Sequence, residues 1–363
     1  MPAKSGVGAY GVVNVRVRVA VSEFLSAETL AKLETASGLK AFVLLLNDTV
    51  YGPMVSKLNR SDGSDINARH IAYQIRKRVS EKFMLVKKYS PENVRPLIDH
   101  LFRIYEIDNL KVTFRGIQLG DSWEKIRYLL FPMGEFDTLP YQEMTKTRSV
   151  EQAIELTRGS SYYDSLSLAK SRYTKEASLF PLEVLLDLEY WQKAWELANA
   201  LPGIDGKISR ELIGEIIERN DLIWASRYKT FHHLSVAEII NYTLGIGPKV
   251  QDDVIRQIAN GVPLSEIIPK IYPSLAVVND KSLDEVRELS YWEVMLQRMF
   301  RQHCRSKLMG SPFNLGGPLA YLFLLEYEIQ DLTLLIEAKS LGLPKERYNP
   351  FLVNNPVSQP MRN

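Results

Sequence analysis

At 363 residues, 45% hydrophobic and 24% charged, the chain is long enough for two or three compact domains and has a globular rather than a disordered composition. A net charge of +2 gives no ground for nucleic-acid or membrane-surface binding by charge alone. Cys304 is the only cysteine, which excludes an internal disulfide or a thiolate zinc cluster and fits a reducing compartment.

Taken in chain order, Met1–Val19 carries Lys4, Arg16 and Arg18 without an apolar core between them, so no signal peptide is expected. Gly11–Ala20 is the main segment with strand-like alternation, which would put Arg16 and Arg18 on one face. The basic run Arg76-Lys77-Arg78 continues to Lys82 and Lys87-Lys88, and Ile75, Val79 and Phe83 thread it at helical spacing. Such a run is ordinarily the solvated face of an amphipathic helix. Its functional alternative is an electrostatic contact with an acidic partner or anionic lipid. Arg115-Gly116 and Arg227-Tyr228 fall near helix ends, where a cation complements the dipole and Gly116 could take a left-handed cap. Ser149 followed by Gln152 has the form of a capping box before Ile154 and Leu156.

The later part of the chain also reads as helix. Val254, Ile255 and Ile258 share a face that Gly261 is placed to end. Arg305–Pro318, with Pro312, Gly316, Gly317 and Pro318, reads as a loop insertion. Leu322, Leu325, Ile329, Leu332 and Ile336 then form one helical seam. Glu326, Glu328 and Asp331 interrupt Leu319–Ile336, so it is not a membrane span. The predicted fold class is all-α.

No arrangement of residues for catalysis, a cofactor or a metal stands out. Gly245-Ile246-Gly247-Pro248-Lys249 lacks the P-loop spacing, and Pro248 has no backbone donor for a phosphate. Asp252-Asp253 is not followed by a third carboxylate at helical spacing and suits the first turn of a helix. The five histidines, His70, His100, His232, His233 and His303, show no HExxH-type spacing. The neighbours His232-His233 point to different sides of a helix, and His303 beside Cys304 is a poor nucleophile–base pair.

Internal repetition is the most informative feature. Asp108-Asn109-Leu110 leading to Arg115, Asn220-Asp221-Leu222 leading to Arg227, and Gln330-Asp331-Leu332 leading to Glu337 keep the same leucine-to-end spacing. They recur at about 110 residues, far beyond the short periods of solenoid repeats. Tyr51, Tyr162 and Tyr272, each closing an apolar stretch, recur with the same period. A weaker marker pairs Leu182-Glu183 and Tyr190-Trp191 with Leu283-Asp284 and Tyr291-Trp292 at a shorter offset. The expected organisation is three helical repeats, 1–120, 121–240 and 241–353, followed by a tail, 354–363, expected to be disordered. Three like units suggest a pseudo-threefold arrangement.

Several segments form a recognisable series: Tyr10-Gly11-Val12-Val13-Asn14-Val15-Arg16-Val17-Arg18, Leu44–Tyr51, and Arg103-Ile104-Tyr105-Glu106-Ile107-Asp108-Asn109-Leu110 through Arg115-Gly116. The series extends to Pro318, Ala320-Tyr321, Glu326, Glu328-Ile329, Leu332 and Gly342-Leu343-Pro344. In these segments and their order the chain resembles a known family, the C subunit of archaeal A-type ATPases and its counterpart, the d subunit of eukaryotic V-type enzymes. Val12-Val13 and Glu337 depart from the family pattern.

The resemblance implies three similar helical subdomains forming a funnel, with no catalytic site and no cofactor. It also implies a central-stalk place on the cytoplasmic face of the membrane, between the membrane rotor ring of proteolipid subunits and the D and F subunits of the central axle. The expected partner-binding residues are Arg76, Lys77, Arg78, Arg115 and Arg227. A general helical scaffold and an all-helical enzyme are the competing expectations.

Overall fold

The computed structural model describes residues 6–56, 67–276 and 285–354. Those residues form helices and turns, with no strand among them. The first stretch holds α1 (Gly6–Val21), α2 (Ala27–Thr35), α3 (Leu39–Asn47) and α4 (Gly52–Val55). Next come α5 (Ala68–Tyr89), α6 (Arg95–Phe102), α7 (Ile104–Gln118), α8 (Trp123–Ile126), α9 (Tyr141–Lys146), α10 (Val150–Glu155) and α11 (Tyr163–Glu176). They are followed by α12 (Phe180–Ala200), α13 (Gly203–His232), α14 (Val236–Asn241), α15 (Asp252–Ala259) and α16 (Leu264–Ile271). The last helices are α17 (Glu285–Leu308), α18 (Gly316–Ser340) and α19 (Lys345–Tyr348).

The segment expected as a strand, Gly11–Ala20, is helical and lies inside α1. Tyr10, Val13, Val17 and Ala20 are buried at helical steps, with Asn14 beside them. Valine's poorer helix propensity costs only about 0.5 kcal/mol per residue. Full burial of one valine returns about 1.5 kcal/mol or more, so packing overrides propensity. On a helix Arg16 and Arg18 point to different sides rather than sharing a face.

The expected loop Arg305–Pro318 is also shorter than its punctuation suggests. Arg305–Leu308 completes α17, and Gly316-Gly317-Pro318 opens α18. A Cβ on Gly317 would lie 2.6 Å from the side-chain oxygen of Asn14, and one on Gly316 would lie 2.9 Å from that of Asn314. These glycines therefore permit close approach, while Pro318 sits in a first turn where its missing N–H leaves no bond unmade. Gly116, expected as a left-handed cap, is an interior residue of α7, and a Cβ there would meet Ile126 Cδ1 at 2.3 Å. Gly120, with φ 69°, takes the left-handed position beyond the helix instead.

Other signals hold in detail. Ser149 Oγ accepts from Gln152 N at the start of α10 and donates to the Glu151 carboxylate at 2.7 Å. Asp252 and Asp253 occupy the first turn of α15, and Gly261 follows its end with φ 96°. Leu322, Leu325, Ile329, Leu332 and Ile336 are all buried along α18. Leu283-Asp284 of the weaker repeat marker and 355–363 of the expected tail lie outside the described residues.

The chain divides into two compact units. One comprises the described parts of Met1–Ala27, Trp195–Leu334 and Leu343–Asn363; the other comprises those of Glu28–Ala194 and Leu335–Gly342. In the first, α13 packs on α15 and α17. In the second, α7 packs on α9, and α5 packs on α6.

A buried polar device recurs along the chain. On α7, the fully buried Glu106 accepts from Tyr162 Oη (2.7 Å), Arg103 (2.8 Å) and Thr138. One turn on, Asn109 accepts from Phe131 N (2.6 Å) and donates to Phe131 O (2.9 Å). On α13, Glu218 accepts from Tyr272 Oη (2.6 Å) and Lys249 N, and Asp221 accepts from Leu244 N (2.8 Å) and Gly245 N (2.9 Å). On α18, Glu328 accepts from Leu25 N (2.7 Å), and Asp331 accepts from Val353 N (2.8 Å) and Asn354 N (2.7 Å). Each of these three helices thus fixes a loop a little over 20 residues downstream by its backbone donors, which would otherwise be left unpaired.

Candidate partner-binding surface

The basic run lies on α5, whose N-terminus is capped by Asn67, accepting from Arg69 N (2.9 Å) and His70 N (3.4 Å). Ile75, Val79 and Phe83 are buried, as the pattern requires. At about 100° per residue, three consecutive cations cannot all face water beside them. Arg78 turns inward, only 6% exposed, with its guanidinium 5.4 Å from the centre of the Tyr51 ring. Half-buried Arg76 donates to Leu129 O at 3.4 Å. Burial lowers its pKa, while Glu337 and Asp108 counteract that effect. Lys77 lies 5.3 Å from the Tyr73 ring centre, and Lys87 pairs with Asp99 at 2.6 Å. The run is therefore not a uniformly solvated face: Arg78 is part of the packing, whereas Lys88 at its far end is exposed.

The two arginines at the ends of the repeat pattern make ion pairs with neighbouring helices. Arg115 on α7 grips Glu183 of α12 with both ends of its fork, Nε to Oε1 at 2.6 Å and Nη2 to Oε2 at 2.8 Å. That pairing raises the guanidinium pKa further. Arg227 on α13 reaches Glu293 of α17 at 3.3 Å. Both arginine side chains remain substantially exposed, 56% and 41%, so each pair stabilises the fold by about 0–1 kcal/mol. Neither pair shields its arginine from further contact.

The structure adds residues that the sequence pattern did not single out. Nine positions beyond the marker leucines Leu110, Leu222 and Leu332 stand Leu119, Phe231 and Leu341. They are 76%, 49% and 72% exposed. Each caps or closes a long helix, and each repeats the same exposed apolar character at the same register. The signal was present as a spacing, but one apolar residue at a helix end is too common to read alone.

The groups considered for chemistry are engaged structurally. His233 is the left-handed C-cap of α13 with φ 51°, and His303 Nδ1 pairs with Glu215 at 2.6 Å. Cys304 is buried, which pushes its thiol pKa well up. Around Gly245–Lys249, Gly245 N donates to Asp221 and Lys249 N to Glu218, so backbone donors there serve carboxylates of the chain. Among the described residues, no group of His, Cys, Asp and Glu is placed to hold a metal ion.

The chain is similar to several archaeal proteins along most of its length. The A-type ATP synthase C subunit of Methanocaldococcus jannaschii is 22% identical over 349 residues, covering 95% of this chain and 86% of the relative. The protein of that name from Methanosphaera stadtmanae is 19% identical, covering 91% and 84%. The one from Pyrococcus furiosus is 21% identical, covering 90% and 85%. The family model for the ATP synthase (C/AC39) subunit matches residues 13–351. A match of that extent places the all-helical chain in a family plainly: it belongs to the ATP synthase (C/AC39) subunit family.

Proposed function

We propose that the chain is a non-catalytic rotor subunit of the central stalk of an A-type rotary ATPase. It acts as a socket between the membrane rotor ring of proteolipid subunits and the D and F subunits of the axle, passing torque between ATP chemistry and ion translocation. The observation that carries this reading is the relationship, along most of both chains, to proteins named as C subunits of A-type ATP synthases. The repeated helix ends support it, because a partner built from repeated subunits is best met by repeated contact points. So do the buried carboxylates that tie loops to long helices, since a part that transmits torque must resist local opening.

Among the described residues no helix is long and apolar enough to cross a membrane. Attachment through the ring would hold the chain peripherally at the cytoplasmic face. Arg115 and Arg227, with the neighbouring exposed Leu119 and Phe231, are the proposed contact points. Lys77 and Arg76 of α5 are further candidates. Arg78 would act by fixing α5, since its side chain faces Tyr51.

The purified chain is expected to co-purify with an isolated rotor ring and with the D–F pair at low salt, and to show no ATP turnover alone. Arg115→Glu combined with Arg227→Glu should weaken at least one of these associations about tenfold with an unchanged circular dichroism spectrum. Binding to neither the ring nor the D–F pair, with capture of unrelated partners, would instead identify a general scaffold.

A further inference from the structure

The first helix is apolar on two opposite sides, and only one of them is covered. Tyr10, Val13, Val17 and Ala20 are buried, and Tyr10 Oη donates to Asp205 at 2.6 Å. On the other side Val12, Val15 and Val19 are 56%, 64% and 61% exposed. Exposed Gly8 and Ser22 extend this line at each end, so that Gly8, Val12, Val15, Val19 and Ser22 follow one another at steps of four, three, four and three. This is the spacing of a seam against which a second helix packs, with β-branched residues at its centre. The apolar stripe of a helix is ordinarily packed against a neighbour, so an open second stripe on α1 points to a partner.

The charges beside the seam say what kind of neighbour. Arg16 flanks the valines on one side and Arg18 on the other, both exposed, and Gly6–Val21 contains no acidic residue. A second copy of α1 would bring arginines against arginines, a like-charge juxtaposition across the seam. A lipid surface is also a poor match, because the seam is narrow and carries no Trp, Phe, Leu or Lys. A helix with its own apolar seam bordered by Asp or Glu matches the valines in shape and the positive charge beside them in sign.

We infer that the Val12–Val15–Val19 face of α1 is the docking site for an acidic, amphipathic helix of another subunit of the complex. The identity of the complex rests on the function proposed above; the seam itself does not.

The test places a photoreactive benzoylphenylalanine at Val15 in the full chain, co-expressed with the other subunits of its own A-type complex. The expected product is a cross-link to a helix of another subunit with Asp or Glu beside the linked residue. A cross-link no stronger than that from the same probe at exposed Leu168 would overturn the inference. So would a cross-link only to a second copy of the chain, or flotation with vesicles of equal parts phosphatidylglycerol and phosphatidylcholine that Val15→Asp abolishes. In parallel, Val15→Asp and Arg18→Glu should each lower association with the complex about tenfold while leaving the helical spectrum and melting temperature unchanged. If Val15→Asp joins the complex with parental affinity, the seam has no such role and the proposed rotor function stands. If the parental chain joins neither ring nor axle, it is the rotor function that fails.

Discussion

Asn109 and Asp221 occupy the same register on α7 and α13 and hold backbone N–H groups of a downstream loop, but only one of them can titrate. Burial pushes the Asp221 carboxyl up to about 7, although two backbone donors hold its charged form. The folded chain therefore binds this proton more tightly than the unfolded chain, whose aspartates titrate near about 4. The stability contributed by Asp221 is complete below that value and is lost as pH rises through about 7. Asp221→Asn, which installs the side chain already used at position 109, should flatten this dependence. Measured as urea midpoints at about pH 5 and about pH 8, the variant is expected to gain on its parent at the higher pH. An equal change at both pH values would contradict a raised Asp221.

At the scale of elements, helical content and several boundaries were legible because they depend on local spacing. The seam Leu322–Ile336 and the acidic first turn of α15 are examples of signals contained within one helix. What was missed depends on residues far away in sequence. Gly11–Ala20 alternates like a strand, yet α1 is helical because its partners lie on distant segments, including Asp205 and Asn314. Gly316-Gly317-Pro318 looks like loop punctuation, yet its glycines make room for Asn14 and Ile208 against α18. Arg78 reads as part of a solvated run until Tyr51, on another element, is known to lie beside it.

The C-terminal segment is fixed by the same kind of distant contact. Asp331 accepts from Val353 N and Asn354 N, while Arg298 donates to Pro350 O (3.0 Å) and Leu352 O (2.8 Å). Asn354, expected to begin a disordered tail, is instead tied to α17 and α18. Asp331→Ala would leave one buried and one part-buried backbone donor unpaired and should cost about 2–3 kcal/mol. Thermal unfolding of the full chain checks this, and a change below about 0.5 kcal/mol would show the segment held without Asp331.

For the whole molecule, the recurrence of the tyrosines was visible in the sequence before their partners were. Tyr162 and Tyr272 meet Glu106 and Glu218, two carboxylates separated by nearly the same interval as the tyrosines. A glutamate on a helix is ordinarily taken as a solvent-facing residue, so its place in the repeat was not legible from type alone. The third repeat position carries Glu337 where the others carry Arg115 and Arg227, and its charge acts on Arg76 of α5. The arginines proposed as contacts were thus legible as recurring positions, but not their ion pairs. The sequence located the arginines, while the structure supplied their glutamate partners and the exposed apolar residues beyond them.

A rotor subunit must turn with the axle, and covalent tethering in the assembled, ATP-hydrolysing complex tests this directly. On the proposed function, a cross-link between this chain and the axle would join two parts of one rotor and should leave ATP turnover intact. A cross-link between this chain and a stationary peripheral subunit should stop turnover, with recovery when the link is cleaved. Turnover blocked by the axle link, or unaffected by the stationary one, would contradict a rotor role.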